Sequence, residues 1–218
     1  MGIGKREFLK LIGLASTGIL LDPYLSVFTN NDTYVNKKLG VIFDKPHGWG
    51  FIKVSDFGKL KDKQIFEEGW NKDIEWEDIG YPICIATKYY EDTPENKGIF
   101  SPTIMLNITP KEDLYPFGCR TLEEVIEDSA MGTEAFLKDF RVIKRKTPYQ
   151  LSGITFHEFE CEYMFEHIDI SYPLKVELTS IKAEHNGFYY DFNLHQSYAQ
   201  NQTAQLEFER FKQSIKLI

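Results

Sequence analysis

Apolar and polar residues alternate with a period of two along Phe188 to His195. Phe188, Tyr190, Phe192 and Leu194 fall on one side and Tyr189, Asp191, Asn193 and His195 on the other. That is the pattern of a half-buried antiparallel strand. Asn186-Gly187, just before it, marks a hairpin, because both residues tolerate the positive φ that a tight two-residue turn needs. Three more runs read as strands upstream: Phe140 to Thr147, Ile154 to Met164 and Leu174 to Glu184.

Earlier still, Leu39 to Phe43 is a strand stopped by the Pro/Gly turn Lys45-Pro46-His47-Gly48-Trp49-Gly50, and Ile83 to Tyr90 and Thr103 to Ile108 follow, the latter entered through Ser101-Pro102. Between Trp49 and Pro82 the pattern breaks into an irregular acidic stretch of loops and a short strand. Thr121-Leu122-Glu123-Glu124 opens a helix that continues to about Phe140: Thr is the N-cap, and Glu three residues on completes a capping box. Leu122, Val125, Ile126, Ser129 and Ala130 recur at helical spacing and give that helix one face for a sheet. A last helix runs from about Ala204 to 216, with Leu206, Phe208, Phe211 and Ile215 on one side.

Strands, a helix, four strands and a helix are not the alternation of a doubly wound parallel fold. The order predicts an α+β domain: an antiparallel sheet of about five to seven strands sandwiched by helices. No internal repeat or low-complexity segment interrupts it.

The N-terminus has its own grammar. Gly4-Lys5-Arg6-Glu7-Phe8-Leu9-Lys10 precedes an apolar run from Leu11 to Leu21, a charged region and then a short hydrophobic one, as in a signal peptide. The run is too short for an ordinary membrane-spanning helix, which needs about 20 residues. Arg6, Phe8, Leu9 and Lys10 fit the twin-arginine motif S-R-R-x-F-L-K, with Gly4 and Lys5 in place of its first two residues. No A-x-A site follows, so an uncleaved leader holding the chain at the membrane stays open beside a cleaved one. The expected organisation is a twin-arginine-like signal or anchor over 1–21, a polar linker over 22–38 and one domain over 39–218.

Composition sharpens this. The chain has 218 residues, 42% hydrophobic and 15% aromatic, enough for a real core. Its formal charge is −8; Lys5, Arg6 and Lys10 against Glu7 make the leader +2, so the remainder is −10. An acidic body repels phosphate backbones, and no basic stripe carries stacking aromatics, which argues against nucleic acid as a partner. The one basic run, Arg141 to Lys146, reads as a solvated strand face.

Candidate chemistry is sparse. His157-Glu158-Phe159-Glu160-Cys161-Glu162 is the densest run of acid/base or ligand groups. In a strand its three glutamates share one face and His157, Phe159, Cys161 and Tyr163 the other. Carboxylates about 6–7 Å apart are too spread to enclose one Ca²⁺ unaided, so a solvated face is expected. No H-x-x-x-H, C-x-x-C, G-x-S-x-G, P-loop or dinucleotide fingerprint occurs, and no cofactor, catalytic residue or metal ligand is assigned. Cys84 and Cys161 would be able to pair in an exported protein if their strands were neighbours, and Cys119 would then stay free.

Pro46-x-Gly48-Trp49 after the first strand, Ser101-Pro102 entering a strand, Leu151-x-Gly153 opening a long one, and Phe208-x-x-Phe211-x-x-Ser214-Ile215 in the last helix together resemble the PsbP-like family over about residues 39–218. The resemblance implies an antiparallel sheet between helices. It also implies an exported domain, periplasmic or at the outer face of the cytoplasmic membrane, whose role is docking to a membrane-associated protein partner.

Two function classes follow: a non-enzymatic accessory or binding module at that outer face, and a hydrolase or metal-dependent enzyme whose site no motif betrays. A pocket gathering His47, His157, His195, Asp191 and the glutamates would favour the enzyme; a broad aromatic surface would favour the module. For the module, aromatic residues of the charged and aromatic region from Phe57 to Phe100, namely Trp70, Trp76, Tyr81, Tyr89 and Tyr90, are the candidate contact surface. Export is checked by cell fractionation: Lys5→Gln with Arg6→Gln is expected to leave the protein in the cytoplasm.

Overall fold

A computed structural model describes residues 27–30, 32–52, 64–66, 82–90, 96, 98–118, 121–197 and 204–218. Among them the strands are β1 (Val27–Asn30), β2 (Thr33–Asn36), β3 (Val41–Asp44), β4 (Gly50–Ile52), β5 (Gln64–Ile65), β6 (Cys84–Thr87) and β7 (Thr103–Pro110). A short helical stretch over Lys111–Leu114 and Tyr115–Phe117 leads to helix α1 (Leu122–Phe136). Strands β8 (Lys138–Arg145), β9 (Tyr149–Leu151), β10 (Ile154–His167), β11 (Leu174–His185) and β12 (Phe188–Gln196) follow, then helix α2 (Ala204–Ser214) and β13 (Lys216–Leu217).

The described fold is α+β, an antiparallel sheet with few helices. One sheet of nine strands has the order β4-β6-β7-β12-β11-β10-β5, with β8 and β9 also pairing β10; a second sheet of four strands has the order β1-β2-β3-β13. Each described pairing is antiparallel. The long strands lie where alternation puts them, and the main sheet is larger than the expected five to seven strands because β4, β5 and β9 are too short to leave a periodic signal.

Register in the centre is set at Asn186-Gly187. Both residues have positive φ (46° and 82°), as the two centres of a mirror-image hairpin turn require. The turn pairs His185 with Phe188 and so Lys182 with Asp191 and Leu178 with His195.

Alternation then divides the side chains between two cores. On one face Phe192, Leu194, Tyr190, Ile181 and Phe156 cluster with Phe43 of β3 and with Phe208, Phe211 and Ile215 at the C-terminal end. Here Phe211 meets Phe43 edge-on at 5.3 Å and Phe192 at 6.0 Å, separations at which edge-to-face aromatic pairs attract. On the other face Phe159, Cys161, Tyr163, Leu178 and Tyr189 cluster with Leu122 and Ile126 of α1.

Several residues that carry the family resemblance are core residues of the first cluster. Trp49 packs edge-on against Phe208 at 5.8 Å and its indole N–H donates to Glu207 at 3.2 Å.

Four differences from expectation have local causes. Of residues 22–38, expected as a linker, Val27–Asn30 and Thr33–Asn36 are strands: β2 pairs with β1 and β3, and its buried Tyr34 stacks on Phe43 at 4.7 Å. Helix α1 ends at Phe136 rather than near Phe140, because Leu137 is extended and Asp139 turns the chain at φ 51°, so Phe140 serves β8. The last helix stops at Ser214, and Lys216–Leu217 instead pairs with β3. Cys84 and Cys161 are both free; β7, β12 and β11 stand between their strands, and they belong to different cores. Residues 1–21 and Cys119 lie outside the described residues.

The capping box at α1 is present as read: Glu124 N–H donates to Thr121 Oγ1 at 3.3 Å, and Thr121 N–H to Glu124 Oε2 at 2.9 Å. Thr121→Ala is therefore expected to lower stability by about 1 kcal/mol, measured as a shift in urea midpoint at unchanged slope.

Candidate functional site

Helix α1 packs on β8 and β11, and beside it the same sheet face carries half-buried residues, among them Met105, Asn107 and Thr109 of β7 and Asp191 and Asn193 of β12. The gap is a cavity of about 230 Å³. One wall is apolar: Leu122, Val125 and Ile126 from α1, with Phe136, Leu137 and Phe140 beyond it. The floor is the sheet, with Phe159, Cys161 and Tyr163 from β10, Leu178, Ser180 and Lys182 from β11, and Tyr189, Asp191 and His195 from β12.

Cross-strand register brings the polar floor together. Lys182 Nζ lies 2.7 Å from Asp191 Oδ2 and donates to Ser129 Oγ at 3.1 Å, while Ser180 Oγ donates to Asp191 Oδ1 at 3.2 Å. Lys182 is 6% exposed, and a charge so placed requires a counter-charge. Four residues along β12 from Asp191, His195 Nδ1 lies 3.1 Å from Tyr163 Oη of β10, and both residues are buried. Burial pushes the Cys161 thiol up to about 11, and likewise raises the Tyr163 phenol. A thiol protonated at neutral pH is a poor nucleophile. At the rim Arg145 grips Glu127 at 2.5 and 3.1 Å, with its guanidinium 5.5 Å from the centre of the Phe159 ring.

Of the residues proposed for a catalytic pocket, the structure brings His195 and Asp191 to this cavity; His47, His157 and the glutamates of β10 do not line it. His47 is fully at the surface, 2.9 Å from Asp32. Among the described residues no three His, Cys, Asp or Glu side chains converge to hold a metal ion. Of the proposed aromatic contact surface, Tyr90 is 52% exposed and lies so close over Gly50 that any side chain there would collide with its ring; Tyr89 is half-buried. Trp70, Trp76 and Tyr81 lie outside the described residues.

The glutamate row of β10 is not simply a solvated face. Glu158 is 3% exposed and its Oε1 accepts from Lys146 at 2.6 Å and from Lys212 of α2 at 3.0 Å. Glu160 shares Lys146 at 3.0 Å, and Glu162 pairs with Arg141 and, at 2.5 Å, with Lys175. The strand's neighbours supply a lysine or arginine for each carboxylate, so the row ties β8, β10, β11 and α2 together. Of the basic run from Arg141, Arg141 and Lys146 belong to these pairs, and Arg145 turns instead to Glu127 of α1.

Lys182, Ser129, Ser180 and Tyr163 were not singled out by motif reading. The signal that finds Lys182 and Asp191 is arithmetic: with the turn at Asn186-Gly187, both stand four residues from the hairpin's centre and face each other.

No family model matches the chain, and no curated protein matches it. Among solved structures, cyanobacterial PsbP (CyanoP) from Synechocystis sp. PCC 6803 is similar at 13% identity, over 94% of this chain and 99% of that one, with a TM-score of 0.45. LpqN, involved in cell envelope biogenesis of Mycobacterium tuberculosis, is similar at 11% identity, over 81% and 82%, with a TM-score of 0.40. A Pseudomonas aeruginosa protein of unknown function is similar at 10% identity, over 70% and 95%, with a TM-score of 0.44. What the site can do is read from its own side chains.

Burial pushes the Glu158 pKa up, but the hydrogen bonds from Lys146 and Lys212 outweigh it and hold the carboxylate below the usual glutamate value. Its contribution to stability is thus complete above the unfolded value, about 4.3, and is lost as pH falls through the lower folded value. Glu158→Ala, which leaves the half-buried Lys212 with Glu209 and Lys146 with Glu160 as their remaining partners, is expected to cost about 1–3 kcal/mol at pH 7. Glu158→Gln is expected to flatten the acid limb of a thermal-unfolding profile between roughly pH 5 and 3.

Proposed function

We propose that this chain is a non-enzymatic accessory or binding module, with a PsbP-like arrangement of helices on both faces of the sheet, and that the cavity beside α1 is where it binds. One observation carries the reading: on the cavity floor Lys182 is paired with Asp191 and Tyr163 with His195 Nδ1, and the Cys161 thiol is held protonated. A mostly apolar hollow with a few convergent polar groups suits recognition of a small molecule. Bond-breaking calls for a nucleophile or acid/base poised near neutral pH.

The place of action proposed is outside the cytoplasm, at the outer face of the membrane, on the strength of the Lys5-Arg6 leader. Tyr90, with Trp70, Trp76 and Tyr81, is proposed as the surface for a membrane-associated protein partner. The alternative, a hydrolase acting through His195, keeps one specific support: His195 lies in the cavity with Tyr163 as its neighbour.

Native mass spectrometry of the protein purified from its producing cell is expected to show a bound small molecule that Thr133→Trp, at the cavity wall, displaces. Turnover of any member of an ester, phosphate and glycoside panel that vanishes in a folded His195→Ala variant would overturn the reading in favour of the enzyme.

A further inference from the structure

Resting on the reading that this cavity is the ligand seat, its chemistry narrows what fits there. The floor holds one buried cation, Lys182, already matched at 2.7 Å by Asp191. At the rim Arg145 is matched by Glu127, and Asp128 adds a further acid to the lining. A ligand carrying a full positive charge would meet the Lys182 ammonium. A fully negative one would meet Asp191 and Asp128 with no uncommitted cation among the described lining residues, and either would shed part of its hydration there.

A neutral hydrogen-bond acceptor fares differently. An ammonium carries three donors, and two of those on Lys182 are directed at Asp191 Oδ2 and Ser129 Oγ; the third suits a carbonyl oxygen. Ser129 Oγ accepts from Lys182 and keeps its own hydroxyl proton for the same acceptor.

The rest of the lining sets body and size. Phe159, Tyr163 and Tyr189 present rings from the sheet, and Leu122, Val125 and Ile126 close from the helix. A dry cavity of about 150 Å³ admits benzene, so about 230 Å³ admits a ring bearing a short chain.

We infer that the cavity between α1 and the sheet binds a small, uncharged, ring-bearing molecule with one carbonyl acceptor seated on Lys182 and Ser129. The occupant is thus an aromatic or alicyclic ketone, ester or amide, and not a carboxylate, a phosphate or an amine.

Four probes of matched size test this by saturation-transfer NMR on the full domain at pH 7: acetophenone, toluene, benzoate and benzylamine. Acetophenone is expected to bind at least tenfold more tightly than each of the other three, and its signal to be lost in Thr133→Trp, whose indole occupies the wall. Ala130→Phe serves the same purpose should Thr133→Trp prove unfolded by far-UV circular dichroism. Binding of toluene equal to that of acetophenone would overturn the carbonyl contact, and tighter binding of benzoate or benzylamine would overturn neutrality while leaving the seat in place. Binding unchanged in a folded occluded variant, or no binding of any probe, would overturn the seat itself and the proposed function with it.

Discussion

The two-residue turn at Asn186-Gly187 fixes which side chains meet across the middle of the sheet, and both cores inherit that choice. A slip of one residue in a strand exchanges its two faces. Here that would carry Phe192 and Leu194 out of the aromatic cluster around Phe211 and put Asp191 in their place. Burial on both faces makes such a slip costly, since Ile181, Ala183 and Tyr190 are inaccessible on one side and Leu178 and Tyr189 on the other. The turn residues, both at positive φ, and the alternation of the strands specify the same register. Local and long-range preferences agree, the condition under which a sequence selects one structure.

The same register that builds the cores creates a conflict in one of them. Lys182 falls on the buried face of β11, where an apolar residue of like volume would pack at no electrostatic cost. Buried ion pairs commonly break even or worse against such a replacement, because desolvation of both charges offsets their attraction. The pair with Asp191 is the direct consequence of hairpin pairing, and it extends through Ser129 to the helix and through Ser180 across the strand. A polar network of this kind contributes little net stability, and it ties the floor of the hollow to α1 through Ser129.

Much of this was legible. The long strands β7, β10, β11 and β12 and both helices stand where period-two and helical spacing put them, because each is long enough to show its period and bears a strong boundary signal: Ser101-Pro102, Asn186-Gly187 and the Thr121–Glu124 capping box. Short pairings were not legible. Lys216–Leu217 adds two residues to β3, and Gln64–Ile65 two to β10, lengths over which no alternation can be detected and which tertiary contact alone decides. The site was legible only in fragments. His195 and Asp191 are reactive types that the sequence shows on one strand, whereas no motif marks Lys182, and only the count from the hairpin centre places it opposite Asp191. Glu158 misled in the opposite sense: it belongs to a run of charges, and its burial depends on Lys212, 54 residues away on α2.

The two faces of the sheet differ in how they are finished, and that difference points to the function. On the α2 side aromatic rings from β3, β12 and α2 interlock, with Phe43, Phe192 and Phe211 each under 2% exposed, and beside them the buried Glu158 carboxylate is held by Lys146 and Lys212. On the α1 side the helix spans β8 to β11, and the adjoining residues of β12 and β7 on that face stay half-buried. The hollow beside α1, about 230 Å³ and partly open at its rim, is large enough for a small molecule, and an occupant there would gain dispersion contacts with its lining. One face of the sheet is thus closed largely by interlocking rings, and the other keeps a hollow beside α1 whose floor pairs Lys182 with Asp191.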